Sequence, residues 1–173
     1  MQTALEILKY IIPALVVFAT VYFLMKQYLD QQYKLSSLEL RKDQYDKILP
    51  IKLQAYERLA LFCERISPDN LAFRLASGST DATGLSRAML VGIQQEWEHN
   101  LSQQIYVSDQ LWEIISLAKN DIQAVVGEAA SLVPQGATPS DLLQKIQEIR
   151  ANTSIDPLST ARKGLHEETQ LLF

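Results

Sequence analysis

The chain has 173 residues, 47% of them hydrophobic, and a formal net charge of −4. Acidic residues are concentrated downstream, where residues 61–173 carry 14 Asp or Glu against 8 Lys or Arg, and this balance argues against nucleic-acid binding, which needs clustered cations. A single cysteine excludes an internal disulfide framework and suits a reducing compartment.

The first predicted element is a membrane-spanning helix at residues 1–25. Sixteen residues without a charge, YIIPALVVFATVYFLM, run from Tyr10 to Met25 and are followed at once by Lys26. The flanking apolar residues bring the run to the length of about 17 to 25 residues that a span needs. Tyrosines at both ends match the interfacial positions that aromatic residues prefer.

Two other interpretations of this run stay open. A cleaved signal peptide would end in small residues of the A-x-A type, whereas this run ends in VYFLM. A helix buried in a soluble core is compatible with the shortness of the run and with Pro13 inside it.

Cations predict the orientation of the span. Only Lys9 and the amino terminus precede the run, whereas four cations follow it within about 20 residues. These are Lys26, Lys34, Arg41 and Lys42. We therefore expect the C-terminal part to be cytoplasmic.

Residues 26–49 predict a helical stalk, because they contain no Gly or Pro before Pro50. Apolar residues recur at alternating spacings of four and three, with polar lapses at Gln31 and Lys42. The stalk seam consists of Tyr28, Leu35, Leu38 and Tyr45. Such a pattern is typical of a coiled coil, or of a stripe that packs on the rest of the same chain.

The C-terminal domain, residues 50–173, predicts a compact bundle of about five helices, so the fold class is all-α. Pro50 should kink the chain or start a new helix. Capping residues precede proline at Ser67 and Pro68, at Thr138 and Pro139, and at Asp156 and Pro157. The loop SGSTDATG, residues 77–84, separates a short helix over 70–76 from one beginning near Leu85.

The helix that begins near Leu85 has apolar residues at intervals of four, continuing to Ile105. Because this stripe drifts around the helix, the helix should lie between two neighbours or break near residues 105–107.

The segment 109–132 carries the most regular apolar pattern. Its core seam consists of Leu111, Ile115, Ala118, Ile122, Val125, Ala129 and Leu132. Such a face must be buried against other helices. The small residues Ala118 and Ala129 should allow close approach there.

The chain has two histidines and one cysteine as candidate catalytic residues. Glu96 and His99 form half of the Glu-x-x-His pattern with which helical bundles hold two metals. The other histidine, His166, has Lys163 in the matching position, so the second half is missing. Cys63 lies on an apolar face, where a thiol is usually inert. We expect no catalytic residue, metal or cofactor.

Two features favour an interaction surface. Glu57 and Arg58 recur seven residues later as Glu64 and Arg65, so like residues share one side of a helix and could pair with a neighbour, although a solvated charged face gives the same pattern. The chain also ends in an apolar tripeptide that includes Phe173.

Two segments, LPIKLQAYERLALFCERISPDNLAFRL (Leu49–Leu75) and EWEHNLSQQIYVSDQLWEII (Glu96–Ile115), resemble an uncharacterised bacterial family of short proteins. Members of that family have one N-terminal membrane helix and a small helical domain. The resemblance implies that architecture and a bacterial inner membrane, and it implies no reaction or cofactor.

The apolar faces of the predicted helices, combined with the apolar segment from Tyr10 to Met25, predict a non-enzymatic, single-pass membrane protein. Such a protein would serve as an adaptor, scaffold or accessory subunit. Its partners would be other membrane proteins or further copies of itself. One alternative is a homo-oligomeric structural module that assembles through the stalk, and another is a metal-dependent helical-bundle oxidase using Glu96 and His99.

Overall fold

A computed structural model describes residues 2–153 and 155–172, with side chains for residues 11–13, 15–153 and 155–172. These residues form helices and turns, with no strand in the described ranges, which confirms the predicted all-α class. The six α-helices are α1 (Gln2–Arg65), α2 (Pro68–Leu75), α3 (Ala82–Asn100), α4 (Asp109–Leu132), α5 (Pro139–Ala151) and α6 (Pro157–Gln170). Two 3₁₀ helices, Ala76–Gly78 and Leu101–Tyr106, follow α2 and α3.

Of the two expectations at Pro50, the start of a new helix is wrong, because α1 continues through this residue to Arg65. Proline removes one helical hydrogen bond, since it has no N–H to donate to the carbonyl four residues earlier. That carbonyl belongs to Asp46, whose surroundings are exposed, so water can replace the missing donor. Proline's own backbone angle is compatible with a helix, and the chain can therefore stay helical at a local cost.

The chain divides into two units, Met1–Ile48 and Leu49–Phe173. The first unit consists of helix α1 up to Ile48, and its described large apolar side chains are exposed along its whole length. By length and composition, the stretch of α1 that begins at Ile11 is able to cross a membrane.

The second unit has one apolar core, and α4 is its central helix. This helix packs against α3, α5 and α6. Its bounds are the predicted ones, and its buried residues are Leu111, Ile115, Ala118, Ile122, Val126 and Ala129. Two seam residues differ from the expectation: Val125 is half-buried, with Val126 buried in its place, and Leu132 is exposed because it ends the helix.

Helix α3 starts earlier and ends earlier than its apolar spacing predicts. The Asp81 side chain accepts a hydrogen bond from the Gly84 amide and starts the helix at Ala82, so the expected loop is shorter. At the other end, the Asn100 side chain donates to the Glu96 carbonyl at 2.7 Å, and a 3₁₀ helix follows. Leu101 and Ile105 are therefore exposed.

Predicted capping residues start three of the helices. Ser67 caps α2, Asp156 caps α6, and Thr138 caps α5 in a reciprocal arrangement with Asp141. Before α5, Gly136 has a φ of +83°, a conformation that residues with a Cβ rarely adopt.

Candidate functional site

A cluster of charges joins the end of α1, α2 and α3. The Glu96 carboxylate lies 3.3 Å from the Arg65 guanidinium and 3.2 Å from that of Arg74, and its side chain is only 13% exposed. Arg74 also donates to the Arg65 carbonyl at 3.0 Å. One carboxylate thus holds two cations from different helices in place.

Beside this cluster, α1 and α3 form a cleft of about 310 Å³. Its lining residues are Arg58, Leu61, Phe62, Arg65, Glu96, His99 and Asn100. The cleft contains both arginines that the sequence singled out on α1, and Arg74 adjoins it through Glu96.

Three aromatic rings pack against one another next to the cleft, and one of them, Phe62, lines it. Phe62 lies 5.7 Å from Trp97, and Trp97 stacks on Trp112 with ring centroids 4.7 Å apart. The Lys119 ammonium lies 5.0 Å from the centre of the Trp97 ring. Since Trp97 directly follows Glu96, this packing fixes the backbone that presents the carboxylate.

The cleft carries an excess of positive charge. Arg58 and Arg65 line it together with one carboxylate, Glu96, whose second ion pair is with the adjoining Arg74, whereas acidic residues outnumber basic ones in residues 61–173 as a whole. Arginine binds carboxylates through its planar fork of donors, so the cleft suits an acidic group.

The other predicted interaction residues lie in different places. Glu57 is exposed on α1, and Glu64 pairs at 3.0 Å with Arg162 of α6. Glu64 and Arg65 are therefore both in ion pairs within the chain, because α1 has neighbouring helices on those sides. Phe173 lies outside the described residues.

The Glu96 carboxylate is not free to act with His99 as a metal half-site. Its oxygens accept hydrogen bonds from Arg65 and Arg74. His166 is exposed on α6. Within the described ranges, no group of three or more His, Cys, Asp and Glu side chains is placed to hold a metal ion.

A second polar cluster connects α1, α4 and α6. The Glu168 carboxylate accepts hydrogen bonds from the Tyr56 hydroxyl at 2.8 Å, the Ser108 amide at 2.9 Å and the Ser108 hydroxyl at 2.6 Å. Burial acts to raise the pKa of Glu168, but the hydrogen bonds from Ser108 and Tyr56 outweigh it and hold the pKa below its usual value. Burial and the Glu168 carboxylate together raise the pKa of Tyr56.

Sequence reasoning missed this second cluster. Ser108 was recognisable as a helix start, and its hydroxyl also accepts from the Leu111 amide. Nothing local marks Glu168 or Tyr56, since both partners come from distant parts of the chain.

The thiol of Cys63 is buried, and this burial raises its pKa to about 12.

A second cleft, of about 570 Å³, borders α4 and α5, with Asp121, Glu128 and Arg150 among its lining residues. Arg150 is already paired with Asp69 at 3.1 Å.

A model of a family of unknown function, DUF7935, matches residues 2–172. No curated protein and no solved structure matches the chain. The match agrees with the resemblance to an uncharacterised family that the two sequence segments indicated.

Proposed function

The chain belongs to DUF7935, a family of unknown function, and we propose that it is a single-pass protein of a bacterial inner membrane whose helical C-terminal domain serves as an adaptor or accessory subunit. This domain would lie in the cytoplasm and bind another membrane protein. No chemical step is part of the proposal.

The observation that carries the proposal is the composition of α1 along its length. Between Ile11 and Met25 its described large side chains are apolar and exposed, which is costly in water and favourable in lipid. Further along, the same helix supplies Leu59 and Phe62 to the core of the second unit. A membrane span and a folded domain thus share one helix.

The flanking charges support the orientation. Lys26 follows the apolar run directly, and further cations follow within the stalk. Cations next to a span favour the cytoplasmic side, where anionic lipids also attract them.

The arginine cleft is the contact site that we propose for the partner. The two arginines that line it, Arg58 and Arg65, both come from α1, and Glu96 pairs with Arg65, so less side-chain freedom of Arg65 is lost on binding. An acidic segment of a partner protein fits the charge of this cleft.

Fractionation of membranes tests the anchor. The variant with Val17→Asp and Val21→Asp places two carboxylates in the centre of the span, and we expect it to leave the membrane pellet on an alkaline carbonate wash. A matched control with Tyr33→Asp and Leu40→Asp makes the same change on exposed residues of α1 outside the span. Wild type and control should stay in the pellet until detergent is added. Wild-type protein found in the soluble fraction would contradict the anchor.

Chemical crosslinking in native membranes, followed by mass spectrometry, tests the contact site. We expect one membrane protein to be crosslinked repeatedly to the wild-type chain and to be lost with Arg58→Glu. The control is Arg87→Glu, which reverses an exposed arginine on α3 that does not line the cleft. Equal recovery with both variants would show that the cleft is not the contact site.

A further inference from the structure

We propose that the stalk binds a second copy of this chain, forming a parallel two-stranded coiled coil over residues 24–49. This inference goes beyond the adaptor role, because it identifies a surface and its occupant independently of any other partner. It rests on the apolar seam, on the charges that flank it and on the continuity of α1.

The seam is long, and its residues from Leu24 to Tyr45 are exposed, whereas Leu49 is half-buried. From Leu24 to Leu49, apolar residues recur at alternating spacings of four and three, which is the spacing that keeps one side of a helix facing a partner helix. Leu35 is 51% exposed and Leu38 is 61% exposed. Because residues 24–49 all lie within α1, the whole seam is on one continuous helix.

Lettering the heptad as abcdefg places Tyr28, Leu35, Lys42 and Leu49 at a positions. Leu24, Gln31, Leu38 and Tyr45 then occupy d positions. A single lysine at an a position lowers the stability of a coiled coil but fixes its register and number of strands. Lys42 and Gln31, which interrupt the apolar pattern, are thus compatible with a dimer of defined register.

The flanking charges identify the second copy as the occupant. Lys34 and Arg41 occupy g positions, and Glu39 and Asp46 occupy the e positions five residues later. In a parallel dimer, each g residue faces the e residue of the following heptad on the other strand. Lys34 of one copy therefore faces Glu39 of the other, and Arg41 faces Asp46.

The same charges disfavour an antiparallel pair. In that arrangement g positions face g positions and e positions face e positions, so cations would meet cations and carboxylates would meet carboxylates. Two copies inserted in one membrane with the same orientation are also parallel. The charge pattern and the proposed anchor therefore favour the same geometry, and the charge pattern does so on its own.

Disulfide crosslinking of the full-length protein in native membranes tests the seam. Leu38→Cys places a thiol at a d position, and Leu40→Cys places one at an f position on the far side of the helix. Both leucines are similarly exposed, at 61% and 63%. The native Cys63 is fully buried and can be retained. On mild oxidation we expect a dimer from Leu38→Cys and monomer from Leu40→Cys.

Charge exchange tests the register in the Leu38→Cys background. Lys34→Glu with Arg41→Glu sets carboxylates against Glu39 and Asp46, and we expect dimer formation to fall roughly ten-fold. Adding Glu39→Lys and Asp46→Lys to that variant should restore it. A variant carrying only the lysine changes should form mixed dimers with the variant carrying only the glutamate changes.

Several outcomes would overturn the proposal. These are a monomer with Leu38→Cys, equal or stronger crosslinking with Leu40→Cys, and loss of the dimer that the restoring changes do not recover. The carbonate wash reports on the anchor separately. Failure of the seam and failure of the anchor are therefore distinguishable.

Discussion

The hydroxyl of Tyr56 donates a 2.8 Å hydrogen bond to Oε1 of Glu168, 112 positions later in the chain. The same carboxylate binds the amide and hydroxyl of Ser108, which caps α4. One ionised side chain thus holds α1, α4 and α6 together at a single point. Because hydrogen bonds to a charged group are stronger than neutral ones, this carboxylate should contribute measurably to stability.

The first prediction concerns acid stability. Because the folded-state pKa of Glu168 is lowered, its contribution is present above the unfolded pKa of about 4.3 and is lost as the pH falls through the lower folded value. Glu168→Gln should therefore lower the free energy of unfolding by about 1–2 kcal/mol at pH 7 and by less at pH 3, which lies below the unfolded pKa. Thermal unfolding of the detergent-solubilised protein at both pH values measures the difference.

The neighbouring Glu167 provides the control for Glu168. Glu167 is exposed, and its carboxylate lies 3.7 Å from the Lys163 ammonium. Glu167→Gln should change stability by less than about 0.5 kcal/mol at either pH. If Glu168→Gln lowered the free energy of unfolding by the same amount at both pH values, ionisation of Glu168 would not be the source of its contribution to stability.

The second prediction concerns the charge cluster on α3. Removing the Glu96 carboxylate leaves Arg65 and Arg74 close together without neutralisation, so Glu96→Gln should destabilise by about 1 kcal/mol, a value limited by the exposure of both arginines. Glu98→Gln, two residues along the same helix at an exposed position, should have little effect. Chemical unfolding at low salt measures the free energy of unfolding of each variant. A similar decrease in both variants would contradict the assigned role of Glu96.

The third prediction concerns packing along α4. Ala129 is fully buried where α4 meets its neighbours, whereas Ala124 on the same helix is exposed. Ala129→Leu should overfill the core and lower the free energy of unfolding by about 1–3 kcal/mol. Ala124→Leu should be nearly neutral, since leucine is also a good helix former. Equal melting temperatures for the two variants would show that the core has space at Ala129.

The fourth prediction concerns the thiol of Cys63. Burial raises its pKa from 9.0 to about 12, so thiolate is scarce at pH 8 in the folded protein. Alkylation by a maleimide should be roughly a thousand-fold slower in the native state than after unfolding. Rapid labelling under native conditions would mean that the end of α1 opens readily.

Much of the fold could be predicted from the sequence because its signals are local. The bounds of α4 follow from an apolar repeat between Ser108 and Leu132. The starts of α2, α5 and α6 follow from capping residues placed before prolines. Two details of the same local kind differ: no new helix starts at Pro50, and α3 ends at Asn100 rather than near residues 105–107. At Pro50 the helix continues past a missing donor, and at Asn100 a side chain takes over the carbonyl of Glu96.

The candidate site was only partly predictable. Seven-residue spacing drew attention to Arg58 and Arg65 on α1, and both line the cleft beside α3. The spacing could not show that Arg65 shares Glu96 with Arg74, or that Glu64 is paired with Arg162. These contacts join residues 22 to 98 positions apart.

By itself the sequence determined the all-helical class, the apolar opening segment of α1, most helix starts and the heptad pattern of the stalk, because each depends on residues within one or two turns of one another. Only the tertiary structure decided which charged residues form ion pairs within the chain and which remain at the rim of a cleft. An ion pair needs two groups within about 4 Å, and that distance depends on how separate helices pack.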